Sequence, residues 1–251
     1  TSKGIEMKLP IVDVFENPYE SWTCRKASQE EMMAVYRATG KFETHIKDKL
    51  IAKIKNHLDA AKHMAKRGSD NGLENFIDRY LDNSVNYKEL RRAMPSKTPK
   101  VLFDYQQKYP NYSVTEVDKE INSIGHTLSE GQYLFHGGAW LNGASNQFKL
   151  TAPLSTSFCP QVALRNAEWR GKAYDNNKIE LFVLHTVNPI TNVFAFPRKN
   201  ASMGNEKEIL FASGATLIRR ATHLIRDDYP AGKYEHKDKK IPIYVVEVDI
   251  S

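Results

Sequence analysis

The hydrophobic periodicity of this chain changes once, near Gln132, and that change constrains its architecture more than any other feature. Downstream, "QYLFH" (132–136), "APLSTSF" (152–158), "IELFVLHTV" (179–187), "TNVFAF" (191–196), "EKEILFA" (206–212), "TLIRRATHLI" (216–225) and "IPIYVVEVDI" (241–250) are short and rich in β-branched and aromatic residues. Such runs read as strands. Between the second and third lies "CPQVALRNAEWRG" (159–171), which reads as a short helix, and "RDDYPAGKYEHKDKK" (226–240) is a polar excursion expected to be a hairpin or a loop. Upstream the pattern is helical. In "KFETHIKDKLIAKIKNHLDAAKHMAKRG" (41–68), Phe42, Ile46, Leu50, Ile54, Leu58, Ala61 and Met64 recur every three or four residues, lysines fill much of the opposite face and Gly68 follows as a stop. This spacing predicts one amphipathic helix. "LENFIDRYL" (73–81), "YKELRRAM" (87–94), "KVLFDYQQKY" (100–109) and "VTEVDKEINSI" (114–124) predict shorter helices, punctuated by Pro95, Pro99 and Pro110. The expected fold class is α+β: a helical region over 1–128, then a mainly-β domain over 129–251. The helices could form a separate domain or pack on the sheet.

Hydrophobic residues make up 41% of the 251 positions, enough for a packed core. Lys plus Arg total 36 against 30 acidic residues, a net charge of +6. That balance fits a phosphate-bearing ligand or an acidic partner, and a solvated basic surface equally well; it is weak support for nucleic acid, and no nucleic-acid-binding motif is present. No run reaches the apolar length of a membrane span, and no signal-peptide pattern is visible. Cys24 and Cys159 lie far apart and outside any metal-ligand spacing, so no metal site is expected.

Three clusters on the predicted strands carry chemistry. In "YLFHGGAW" (133–140) a strand ends on His136 and then loses its side chains at Gly137 and Gly138, which suits either a turn or a ligand lying against bare backbone. Ser155, Thr156 and Ser157 follow, with Ser155 and Ser157 on one strand face. Glu206 and Glu208 flank Lys207, and on a strand both carboxylates would share a face. Taken singly, each cluster has an ordinary structural reading. Two carboxylates held together raise the energy of at least one ionised form, and a cationic ligand or transition state would supply the reason for keeping them.

These three clusters, in this order, resemble the mono-ADP-ribosyltransferases of bacterial toxins and effectors, over roughly residues 130–251. The family's run is Arg or His followed by Gly, then Ser-Thr-Ser, then Glu-x-Glu or Gln-x-Glu, and here these are His136-Gly137, Ser155-Thr156-Ser157 and Glu206-x-Glu208. The resemblance implies two packed, mostly antiparallel sheets and NAD as substrate, with no metal. It assigns Glu208 to the ribose and the oxocarbenium-like transition state, Ser155 to holding Glu208, and Glu206 to the acceptor. Gly137 would pair through its backbone with the nicotinamide carboxamide, a Cβ there holding the ring away, while the turn reading is kept for Gly138. Thr156 and Ser157 would line the ribose side or buttress the cleft, and His136 would bind NAD. His136 departs from the Arg that usually accompanies Ser-Thr-Ser and Glu-x-Glu. Arg165 and Arg170 lie where relatives place a phosphate-contacting base, with Trp169 as an aromatic wall; Lys172 is read as surface charge. The loop "FPRKNASMGN" (196–205) would face the protein substrate. The implied activity transfers ADP-ribose to a side chain of a host protein, arginine being favoured and Thr or Ser open. GTPases, actin and ubiquitin-like proteins are candidate acceptors, and the resemblance implies a bacterial secreted protein acting in the host cytosol. An NAD glycohydrolase and a catalytically silent NAD-fold binding module are the alternatives.

Overall fold

The computed structural model describes residues 8–140, 145–198 and 203–251. It opens on β1 (Tyr19–Lys26), α1 (Gln29–Thr39) and β2 (His45–Ile54), with β1 and β2 paired antiparallel from Tyr19↔Ile54 to Lys26↔His45. Five helices follow: α2 (His57–Arg67), α3 (Asn71–Asn83), α4 (Val85–Arg92), α5 (Lys100–Lys108) and α6 (Val114–Ile124). The helix predicted from residue 42 onward is therefore half strand. Its four-residue apolar spacing is real, but Leu50 and Ile51 are exposed and Ile46 only half-buried, so no core reads that stripe upstream of Ile54. Isoleucines favour an extended backbone once a partner strand is present, and β1 supplies it. The helix begins where Asn56 caps it, accepting the Asp59 N–H at 2.8 Å. From there Ala60, Ala61, Met64 and Ala65 are buried.

The second half contains β3 (His126–Thr127), β4 (Tyr133–Gly138), β5 (Gln147–Lys149), β6 (Leu154–Ser157), α7 (Pro160–Glu168), α8 (Lys172–Asn176), β7 (Ile179–Thr186), β8 (Asn192–Ala195), β9 (Glu208–Phe211), β10 (Thr216–Ala231) and β11 (Lys239–Ile250). Two 3-10 turns, Trp169–Gly171 and Gly204–Glu206, interrupt it. The strands lie in the order β3-β8-β9-β6-β4-β7-β11-β10-β5. Among the described strand pairs of this sheet only β7 with β11 is parallel. The polar stretch 226–240 is mostly strand: β10 runs to Ala231 and β11 starts at Lys239, leaving 232–238 to join a long hairpin. The architecture is α+β, as the periodicity predicts. The two expected sheets are joined into one nine-stranded sheet, but barely. β4 and β6 register at the single pair Phe135↔Ser157, so the sheet all but divides there.

Buried side chains of the helices and of the sheet form one continuous cluster, including Met64, Ile77, Leu90 and Ile121 together with Phe135, Leu181, Ile209 and Leu210. A buried polar tie reinforces it. Lys207, almost fully buried, sends its ammonium to Glu74 of α3 at 3.1 Å and to Asp78 of the same helix at 3.3 Å. Glu74 also accepts from Gln161 at 2.8 Å and pairs with Arg165, both on α7. Among the described residues, no helix is long and apolar enough to cross a membrane and no cluster of His, Cys, Asp or Glu could hold a metal ion.

Candidate active site

A cleft of about 340 Å³ opens where β4 and β6 part. His136, on β4, closes the head of that split. Its Nδ1 lies 2.7 Å from the Ser155 carbonyl oxygen, which can only accept, so Nδ1 carries the proton. Burial, aided by Lys172, pushes the imidazole below its ordinary range, although the Ser155 carbonyl pulls the other way. The neutral ring then keeps Nε2 as an acceptor. Gly138 makes room for it: a Cβ there would stand 2.7 Å from His136 Nε2. Gly138 ends β4 without positive φ, so steric access to the histidine replaces the turn reading.

Gly137 has a different reason to be glycine from the one the resemblance implies. A Cβ at Gly137 would sit 1.8 Å from the Ala163 carbonyl oxygen. Its missing side chain therefore admits helix α7, packed flat on β4, and does not admit a ligand. Because β4 and β6 register only at Phe135↔Ser157, Gly137 lies past the last paired position on that side, within the lining of the cleft.

Glu208 forms the floor. It is the first residue of β9, paired with Ser157, and it is buried. The Ser155 hydroxyl donates to its Oε1 at 2.6 Å, and the side-chain amide of Gln106 donates to its Oε2 at 2.6 Å. Burial drives the Glu208 carboxyl up to about 7, with the charge of Glu206 adding to the rise while both hydrogen bonds oppose it. Thr156 and Ser157 line the cleft, but their hydroxyls are engaged with backbone: Thr156 donates to the Ile209 carbonyl at 2.7 Å and Ser157 to that of Glu206 at 2.6 Å. Both buttress the strands that carry the glutamates.

The geometry of the acidic pair differs from the strand expectation. Glu206 ends a 3-10 turn, Lys207 sits in the left-handed region at φ 51°, and only then does β9 begin. The left-handed residue turns Lys207 away toward α3 and leaves both carboxylates on the cleft, so a kink and not strand alternation brings them together. Glu206 is half-buried, its carboxyl is raised by that burial, and among the described residues its carboxylate finds no hydrogen-bond partner. Of the loop 196–205, expected from the resemblance to face the protein substrate, residues 199–202 lie outside the described residues; Met203 lines the cleft.

One wall is aromatic. Tyr105 of α5, Tyr109 and Tyr112 just beyond it and Trp169 after α7 line it, with Tyr105 edge-on to Tyr112 at 4.7 Å and Tyr109 6.1 Å from Trp169. The exposed Lys172 stands at its rim, 5.0 Å from the Tyr109 ring and 5.1 Å from the Trp169 ring. Among the described residues lining the cleft it is the one lysine or arginine. Arg165 and Arg170 do not line it. Arg165 pairs with Glu74, and Arg170 stacks on Trp169 at 4.3 Å. A turn of unusual backbone, with Arg170 at φ 53°, separates α7 from α8, so Lys172, four residues past the end of α7, is the one that reaches the site.

No family model and no curated protein matches the chain. Similar solved structures include bacterial ADP-ribosyltransferases. The Vis toxin, an ADP-ribosyltransferase from Vibrio splendidus, is 16% identical over 90% of this chain and 88% of its own, with a TM-score of 0.34. C2-I, the enzymatic component of the C2 toxin from Clostridium botulinum, is 11% identical over 67% of this chain and 48% of its own, at 0.37. BECa, an ADP-ribosylating toxin of C. perfringens whose structure was determined with NADH, is 14% identical over 79% and 51%, at 0.31. Likeness at these TM-scores carries no functional argument, so the chemistry of the site must carry it.

The cleft thus brings together His136, Gly137, Ser155, Thr156, Ser157, Trp169, Glu206 and Glu208, and leaves Arg165 and Arg170 outside. The sequence clusters do not disclose Gln106, the three tyrosines or the part taken by Lys172. The only local signal for the tyrosines was their density in "FDYQQKYPNY" (103–112) on an otherwise ordinary amphipathic helix.

Proposed function

We propose that this chain cleaves the nicotinamide–ribose bond of NAD and transfers ADP-ribose to a protein side chain. The observation that carries the proposal is Glu208: a buried carboxylate gripped at both oxygens on the floor of an aromatic cleft, with a second carboxylate beside it. In the reaction the glycosidic bond breaks with its electron pair leaving on the nicotinamide nitrogen, and the ribose anomeric carbon becomes positive. A fixed carboxylate stabilises that developing charge, and the ribose 2′-hydroxyl can donate to it. The acceptor lone pair then bonds to the anomeric carbon, and the acceptor loses a proton. Glu206, without a hydrogen-bond partner among the described residues and raised by burial, is suited to receive it. The resemblance favours an arginine acceptor.

His136 supports this reading as a neutral acceptor for a ribose hydroxyl, its proton already committed to Ser155. Lys172 takes the electrostatic task left by the missing arginine: an exposed ammonium beside two aromatic faces suits a diphosphate next to a stacked ring. NAD labelled separately in nicotinamide and in the adenylate tests the proposal. Incubated with a cell lysate, the wild type should release nicotinamide and leave adenylate label on protein. Glu208→Gln should lose both by at least about a hundredfold. Release of nicotinamide without labelled protein would make the enzyme a glycohydrolase, and no release at all would reject the assignment.

A further inference from the structure

Oε2 of Glu208 is held from outside the sheet that carries the rest of the acidic site. Gln106 lies on α5, and its amide reaches Oε2 at 2.6 Å while the Ser155 hydroxyl reaches Oε1. The helix that presents it is anchored, with Leu102 and Tyr105 buried on the core side. One hydrogen bond alone would let the carboxylate pivot about the serine; a second, from an independent element and on the opposite oxygen, fixes its plane. We propose that Gln106 is a positioning residue for the reaction, its amide working against the Ser155 hydroxyl to orient Glu208 and to hold it in the charged form that meets the ribose. This rests on the role given to Glu208 above.

The surroundings explain why a neutral donor matters here. Among the described residues no cation pairs with Glu208. Facing it are Glu206 from the 3-10 turn, whose charge disfavours ionisation, and the Tyr105 hydroxyl from α5, whose own ionisation burial suppresses most and both glutamates suppress further. His136 on β4 spends its proton on the Ser155 carbonyl, and Lys172 stands across the cleft against Tyr109 and Trp169. Against burial and a like charge, the two hydrogen bonds are the opposing influences. One of the two bonds comes from α5, so the helical part of the chain completes the active centre.

Gln106→Met keeps the length and bulk of the side chain and removes the donor; Gln106→Lys keeps the reach and adds a cation. The midpoint of Glu208 is read by carbon-13 NMR of protein labelled at the glutamate side-chain carboxyl, with the resonance assigned through Glu208→Gln. The pH dependence of NAD cleavage is measured alongside. In Gln106→Met the midpoint and the acid limb of the rate should both rise by about one pH unit, the effect of losing one hydrogen bond to a charged group. At pH 7 that lowers kcat about fivefold, the rate recovers above pH 9, and KM for NAD moves less than kcat. Gln106→Lys should move the midpoint the other way. A folded Gln106→Met with the wild-type midpoint, or a rate reduced by one factor at every pH, overturns the proposal. If the wild type cleaves no NAD, the function proposed above fails, while the NMR midpoint still shows whether Gln106 holds the charge.

Discussion

Replacing Glu208 with Gln should abolish the chemistry and stabilise the fold, and the stabilisation should grow with pH. Burial holds the Glu208 carboxyl near 7 in the folded protein, against its usual 4.5. The folded state therefore binds this proton more tightly than the unfolded chain does. Its contribution is full below about pH 4.5 and is lost as pH rises through about 7. At about 1.4 kcal/mol per pH unit, the ionised carboxylate costs the folded state about 3 kcal/mol above that window. Glutamine avoids the cost. Its carbonyl accepts from Ser155 as Oε1 does, and a half-turn of the Gln106 amide presents an oxygen to the new NH2 group. Titrating groups that do not feel Glu208 are common to the two proteins and cancel in the difference; Glu206 and Tyr105 sense its charge. Melting curves at pH 5, 6.5 and 8 should show a small gain for Glu208→Gln at pH 5, rising to roughly 6–12 °C at pH 8 for a chain of this size. A difference that stays flat or shrinks with pH would refute the idea that Glu208 is a carboxylate buried against its own preference. The same window governs activity with the opposite sign. The cleavage rate should climb as pH rises through about 7, so the protein gives up stability over the range in which it becomes active.

Gly137→Ala drives a Cβ into the Ala163 carbonyl, so denaturant melts should show a loss of at least about 3 kcal/mol; Gly138→Ala meets the His136 ring first and should instead weaken NAD binding by calorimetry. Lys172→Ala should raise KM for NAD about tenfold and flatten its salt dependence, whereas Arg165→Ala, outside the cleft, should leave KM within about twofold. Glu206→Gln should retain NAD cleavage and lose most protein labelling, measured as the ratio of released nicotinamide to labelled acceptor; an equal loss of both would place Glu206 in bond breaking.

Residues close in sequence made much of the site legible. Ser155, Thr156 and Ser157 occupy one short strand, and Glu206 and Glu208 lie two apart, Glu208 opening another, so each cluster survives as a local pattern whatever surrounds it. The change of period near Gln132 likewise determines the α+β class, because alternation and helical repeat are properties of the chain itself. Tertiary structure decided what depends on distant partners. The stretch 45–54 satisfies a helical spacing, and only pairing with β1 makes it a strand. Gly137 is glycine because α7 crosses it, which no local pattern records. Glu206 and Glu208 share the cleft through the left-handed turn at Lys207, which the buried ion pair with Glu74 accompanies, and not through the alternation that their spacing suggests. Gln106 meets Glu208 across 102 residues of chain, and Lys172 reaches the tyrosine wall only because the helix breaks at Arg170. A side chain's chemistry is written in its identity, but its neighbours, its burial and therefore its charge are set by the packing of segments that are remote in the sequence.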